Sequence, residues 1–153
     1  MSDKIRVGVI GVGSLGQHHA RNYYNLPNAE LIYVCDSNQR QAKKIGKSYK
    51  AKPISDYEEM IGNVDAVSIA TPTVLHYQIA EKLLNNGIHC LVEKPICNTV
   101  VDAAKLTALA RKKNLILQVG HIEHFNVAVR KFKEILTTPL FIECHRLGPF
   151  DPR

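Results

Sequence analysis

Arg6-Val-Gly-Val-Ile-Gly-Val-Gly-Ser-Leu-Gly16 decides how this 153-residue chain reads. Lys4 to Ile10 forms a short apolar strand, and Gly11, Gly13 and Gly16 then give G-x-G-x-x-G where that strand turns into a helix. Gly11 allows the tight turn. Gly13 leaves no Cβ between the backbone and a pyrophosphate, and Gly16 lets the helix pack close on the strand. The helix, with Ser14 and Leu15 at its start, presents free N–H groups and its positive dipole end to the phosphates. A second apolar strand, Leu31 to Cys35, ends in Asp36, twenty residues after Gly16, where an acid accepts from the adenosine ribose hydroxyls. A carboxylate there repels a 2′-phosphate, and Arg40 is the nearby cation that would soften this, so the dinucleotide is expected to be NAD rather than NADP.

The hydrophobic share of 45% and charged share of 22% are those of an ordinary globular protein of one-domain length. The net charge of +6 suits an anionic partner such as a dinucleotide. Lys43, Lys44, Lys47, Lys50 and Lys52 are dispersed around a short helix and loop without a run of interleaved aromatics, which argues against nucleic acid. The cysteines at 35, 90, 97 and 144 have neither metal-ligand nor redox spacing, so core thiols and no metal are expected. The glycine motif begins too early for a preceding signal peptide, and no apolar run reaches the length of a membrane span. A cytoplasmic protein that does not contact membranes is the expectation.

Strands and helices alternate along the chain. After the second strand come a helix near Gln39 to Lys47, an edge strand around Lys50 to Ile54 marked by Pro53, and a helical turn over Asp56 to Ile61. Ala66 to Ala70 is a buried strand, and Pro72 opens a helix with Leu75, Ile79, Leu83 and Leu84 on one face. Ile88 to Val92 is the fifth strand, Thr99 caps a helix from Val100 to Lys113, and Leu115 to Val119 is the sixth strand. This alternation implies an α/β, doubly wound parallel sheet of the Rossmann type, ordered 3-2-1-4-5-6. Ligands bind such sheets at the carboxyl ends of the strands. The residues there are the glycines, Asp36, Thr71-Pro72 with His76, Glu93-Lys94-Pro95 and Gly120-His121.

Gly11-x-Gly13-x-x-Gly16, Asp36, Ala70-Thr71-Pro72 with His76, and above all Glu93-Lys94-Pro95 resemble the glucose-fructose oxidoreductase, inositol dehydrogenase and MocA (Gfo/Idh/MocA) family, over Ile5 to about Arg146. Within it, Val119 to Asn126 is similar to the branch acting on UDP-N-acetyl sugars, although that branch commonly has proline where Val127 stands here. The resemblance implies an NAD-dependent oxidation of a secondary alcohol of a sugar or nucleotide sugar. Lys94 would be the catalytic residue, Glu93 and Pro95 would place it, and the Lys94–Pro95 bond would be cis. Thr71, Pro72, His76 and Glu93 would join the cofactor site. His76 reads equally as a capping or packing residue. His121, Phe125 and Asn126 are candidates for the substrate side, with His124 and His145 left open.

The expected domains are a dinucleotide-binding unit over 1–121 and, over 122–153, a crossover helix from Phe125 to Leu136 with the first strand, Leu140 to Leu147, of an otherwise missing α+β substrate domain. The unpaired edge of that strand would pair with a second copy, giving a homo-oligomer, or stay poorly ordered. A fragment and a shortened gene are equally compatible with this reading. Two function classes therefore stand side by side: the cofactor half of a sugar dehydrogenase, and a non-catalytic or decayed dinucleotide-binding module.

Overall fold

A computed structural model of the chain describes residues 4–143 and 145. Six parallel strands form one sheet in the order β3-β2-β1-β4-β5-β6, as the alternation predicts: β1 Ile5–Ile10, β2 Ala29–Cys35, β3 Lys52–Ile54, β4 Ala66–Ile69, β5 His89–Val92 and β6 Leu117–Val119. The connections are α1 Gly16–Asn25, α2 Gln39–Tyr49, a 3-10 turn at Tyr57–Met60, α3 His76–Asn85 and α4 Val100–Lys112.

Two apolar layers sandwich the sheet. On one face Ala20 of α1 and Ile45 of α2 pack with Val7, Val9, Leu31 and Val34. On the other, Ile79, Leu83 and Leu84 of α3 and Leu106 of α4 pack with Met60, Ile69, Cys90 and Val92. Leu83 and Leu84 are fully buried, each worth about 1.5–3 kcal/mol relative to exposure. Val7 and Gly8 of β1 lie opposite Leu31 and Tyr33 of β2, so Ile32 is an extra residue that bulges β2. The bulge resets the alternation: Leu31 and Val34 face the first layer while Tyr33 and Cys35 face the second. Burial pushes the Cys35 and Cys90 thiols up to about 12, leaving them protonated core groups.

Local chemistry sets several boundaries away from those the pattern predicts. The helix opened by Pro72 begins as a 3-10 turn, Thr73–Leu75, before α3 starts at His76. The sixth strand is shorter than Leu115 to Val119, because the Ile116 N–H donates to the His89 ring at 2.9 Å instead of to a ladder carbonyl.

The chain divides into two compact units, Met1–His121 and Ile122–Arg153. In the second, a 3-10 turn at Ile122–Phe125 leads into α5, Val127–Ile135, whose first turn is capped by Asn126. Residues 140–143 form no strand, and Leu140 and Phe141 are exposed. Over 140–143 and 145 this corrects the strand expected from Leu140 to Leu147. Its apolar run has no ladder partner among the described residues, and a strand is stable only within a sheet. Residues 144, 146 and 147 of that stretch lie outside the described residues.

Candidate functional site

A chain of backbone hydrogen bonds lines up the residues at the carboxyl edge of the sheet. Asp36 N–H donates to Ile54 O, Gly11 to Cys35 O, Ala70 to Ile10 O, Glu93 to Ile69 O and Gly120 to Val92 O, at 2.8 to 3.2 Å. Each residue after a strand is thus held by its neighbour, and side chains from distant parts of the sequence share one rim.

At the centre is the glycine turn. Gly11 has φ +79°, and a Cβ there would stand 2.7 to 2.8 Å from the backbone of Ala70 and Thr71. A Cβ on Gly13, by contrast, would meet nothing within 4 Å, so that part of the turn faces open space. Helix α1 then starts without a side-chain cap, Leu15 being its N-cap residue. The contrast within the molecule is informative: the side-chain oxygens of Asn38, Asp56, Thr99 and Asn126 each accept from the first amides of the helix or turn they precede. Uncapped amides beside an open glycine turn are a cradle for an anion.

Asp36 is tied into the same turn. Its Oδ2 accepts from the Val12 N–H at 3.0 Å and its Oδ1 from the Asn38 N–H at 2.9 Å. Each carboxylate oxygen retains a second lone pair for a ribose hydroxyl. Gln41 completes the tie by donating from Nε2 to Val12 O at 2.7 Å. A cleft of about 300 Å³ lies between Gly11, Gly13 and Asp36 on one side and Thr71, Pro72 and Leu75 on the other. Ser55 and Tyr57 also line it, and the sequence pattern did not single them out. The buried Thr71 Oγ1 has no hydrogen-bond partner among the described residues. Arg40 is exposed, as are Ser14 and Leu15.

His76 is fully buried. Its Nδ1 stands 3.0 Å from Pro95 O and its Nε2 2.8 Å from Thr71 O. Carbonyls only accept, so one ring proton serves one of these bonds and the imidazolium serves both. The ring therefore brackets the Thr71 loop to the lysine loop, and both of its nitrogens are occupied by backbone. Replacing His76 with Ala is expected to cost about 2–4 kcal/mol of stability through the cavity and two unpartnered carbonyls. Guanidinium unfolding of the variant measures it.

At the end of β5, Glu93 is buried and Lys94 exposed, and the Lys94–Pro95 bond is cis as expected. Glu93 Oε2 accepts from the Lys94 N–H at 3.3 Å, and Oε1 lies 2.9 Å from His19 Nε2 on α1. A Cβ on Gly120 would stand 3.0 Å from the Glu93 carboxylate, so glycine at the end of β6 makes room for that group. The Lys94 ammonium forms no ion pair with any described residue. His19 is a functional candidate that sequence reasoning missed, and its partner 74 positions away left no local signal.

The proposed substrate-side residues are exposed. His121 follows β6 in the first unit. In the second, Phe125 carries the Arg130 guanidinium over its ring, while the Asn126 side chain caps α5 and donates to Glu123 Oε2. Among the described residues no cluster of three or more His, Cys, Asp or Glu could hold a metal ion, and no helix is long and apolar enough to cross a membrane.

Residues 5–121 match the model of the oxidoreductase family with an NAD-binding Rossmann fold, Gfo/Idh/MocA. The chain belongs to that family. It is 35% identical over 150 residues to the UDP-N-acetylglucosamine 3-dehydrogenase of Acidithiobacillus ferrooxidans, covering 97% of this chain and 47% of that one. It is 30% identical over 132 residues to the scyllo-inositol 2-dehydrogenase (NAD(+)) of Bacillus subtilis, covering 84% and 39%. Among solved structures, the Acidithiobacillus enzyme superposes with a TM-score of 0.81 at 34% identity, over 86% of this chain and 43% of that one. The scyllo-inositol dehydrogenase of Lactobacillus casei, with NAD(H) and scyllo-inositol bound, gives 0.81 at 27%, over 86% and 40%. The chain spans about half or less of the length of these relatives. The cofactor of the family fold is NAD, and the open glycine turn, the uncapped start of α1 and the acceptor at Asp36 fit it.

Proposed function

We propose that this chain is the nucleotide-binding half of an NAD-dependent dehydrogenase that oxidises a secondary alcohol of a sugar, in particular a UDP-N-acetyl sugar. The observation that carries the reading is the exposed side chain of Lys94, which forms no ion pair with the described residues and follows a buried, doubly engaged Glu93 on the same sheet edge as the glycine turn. NAD supplies the hydride acceptor when bound. Gly11, Gly13, Ser14, Leu15 and Gly16 would hold its phosphates, Asp36 its ribose, and Thr71 and Pro72 the opposite wall, with Arg40 beside the ribose.

Oxidation of an alcohol removes a hydride from carbon and a proton from oxygen. A fixed cation stabilises the oxyanion as it develops, and Lys94 is the group for this. Glu93 and His76 fix the turn that carries it. His121, Phe125 and Asn126 are proposed for the substrate side. The similarity to the Acidithiobacillus UDP-N-acetylglucosamine 3-dehydrogenase supports the UDP-sugar class, and the similarity to the scyllo-inositol enzyme supports cyclic polyols more broadly.

In the proposed division of labour, the 153 residues bind the dinucleotide, while sugar turnover needs the surface that relatives build from the rest of their length. Calorimetric titration of the chain should give saturable NAD binding, and absorbance of the reduced cofactor should stay flat with a panel of UDP-sugars. Absence of NAD binding would sink the whole reading. Saturable NADH production that disappears in Lys94→Met would keep the catalytic assignment and overturn the division of labour.

A further inference from the structure

The carboxylate of Glu93 is held from three sides. His19 Nε2 on α1 lies 2.9 Å from Oε1, the Lys94 N–H donates to Oε2 at 3.3 Å, and Gly120 at the end of β6 leaves the space in which the group sits. The side chains of His19 and Glu93 are 21% and 11% exposed, so the pair is largely withdrawn from water. A carboxylate in that position needs donors for its oxygens, because desolvation without them is costly. Among the described residues, His19 is the only side chain that hydrogen-bonds this carboxylate.

His19 stands in the first turn of α1, three residues after Gly16, on the helix whose open end forms the anion cradle. We propose that His19 is the positioning residue of the lysine turn. By donating from Nε2 to Oε1 it fixes the Glu93 carboxylate, whose other oxygen fixes the Lys94 backbone, and it thereby links the dinucleotide helix to the group presented at the site. Two bonds in series span the distance between the phosphate cradle and Lys94. Occupancy of the cradle and the setting of the lysine turn are then coupled, and the coupling acts equally in both directions. The catalytic value of this setting rests on the proposed role of Lys94, whereas the linkage itself does not.

The test is nitrogen-detected NMR on the full 153-residue chain. In the wild type the His19 ring is expected to carry its proton on Nε2, and the Lys94 amide resonance is expected to shift when NAD is added. His19→Ala should displace the Lys94 amide resonance in the free chain, remove its response to NAD and weaken NAD binding about fivefold. His19→Gln keeps an N–H donor and should restore the resonance, its response and most of the affinity. A wild-type ring with no proton on Nε2 would overturn the proposal, and so would a Lys94 resonance that is the same in His19→Ala as in the wild type. The ring measurement needs no variant, so it stands even if His19→Ala fails to fold. Lack of turnover leaves these readouts untouched, which separates this proposal from the assignment of Lys94 as catalytic.

Discussion

Gly16→Ala is expected to abolish NAD binding and to cost about 4–5 kcal/mol of stability, at the extreme of what single substitutions do. A Cβ at this position would stand 1.7 Å from Gly11 O and 2.8 Å from Gly11 C, both backbone atoms. Gly11 cannot retreat. It is itself pressed against the Ala70–Thr71 backbone and held in a left-handed conformation that alanine would strain by roughly 1–2 kcal/mol. Relief therefore requires α1 to lift off β1, which opens the layer around Ala20 and spoils the anion cradle at once. Gly13→Ala is the control: with nothing within 4 Å of its Cβ, stability should change by no more than about 0.5 kcal/mol while NAD binding weakens. Guanidinium midpoints and calorimetric NAD titration on both variants separate the two effects. A Gly16→Ala chain that folds and binds like the wild type would show that the contact between turn and helix is not what the structure indicates.

Asp36→Ala should lower NAD affinity by about thirty- to a hundredfold, the equivalent of roughly 2–3 kcal/mol, and should erase the preference over NADP. Three interactions go together: the acceptor for the ribose hydroxyls and the acceptors for the Val12 and Asn38 amides. The second of these matters because Val12 lies between two glycines of the turn, so the acid that reads the ribose also shapes the phosphate loop. Once the carboxylate is gone, nothing repels a 2′-phosphate, and the exposed Arg40 can meet it. Parallel titrations with NAD and NADP give the ratio. A wild-type chain that binds NADP more tightly than NAD would refute the assigned role of Asp36.

The order of the sheet was legible because each strand is a short apolar run and each crossover ends in recognisable punctuation, such as Asn86-Gly87 after α3 or Thr99 before α4. The positions of Gly11, Gly13, Asp36 and Thr71-Pro72 on one cleft follow from that order, since the strands that precede them are neighbours in the sheet. The pattern could not carry partnerships across the fold. Periodicity has no term for a ring on α1 that reaches a carboxylate after β5, nor for His89 taking the amide that would have extended β6. His76 illustrates the same limit: its place one turn into a helix was visible, but the two carbonyls it brackets come from different loops. The run at Leu140 to Ile142 shows the opposite error. Consecutive apolar residues predict a strand, yet a strand is a relation between two segments, and among the described residues the second segment is missing.

The uncapped start of α1 has a consequence beyond recognition of the cofactor. Helices α2, α4 and α5 each begin under a side-chain oxygen that accepts from their first amides, so folding alone completes them. For α1 the completing group comes from solution, and folding and cofactor supply become one equilibrium. A ligand that binds only the folded state adds about 2.7 kcal/mol of stability at a hundredfold excess over its Kd. The lifetime of this polypeptide against unfolding and proteolysis thus rises and falls with the concentration of free NAD around it, and the first effect of a starved dinucleotide pool would be on how much of the protein exists.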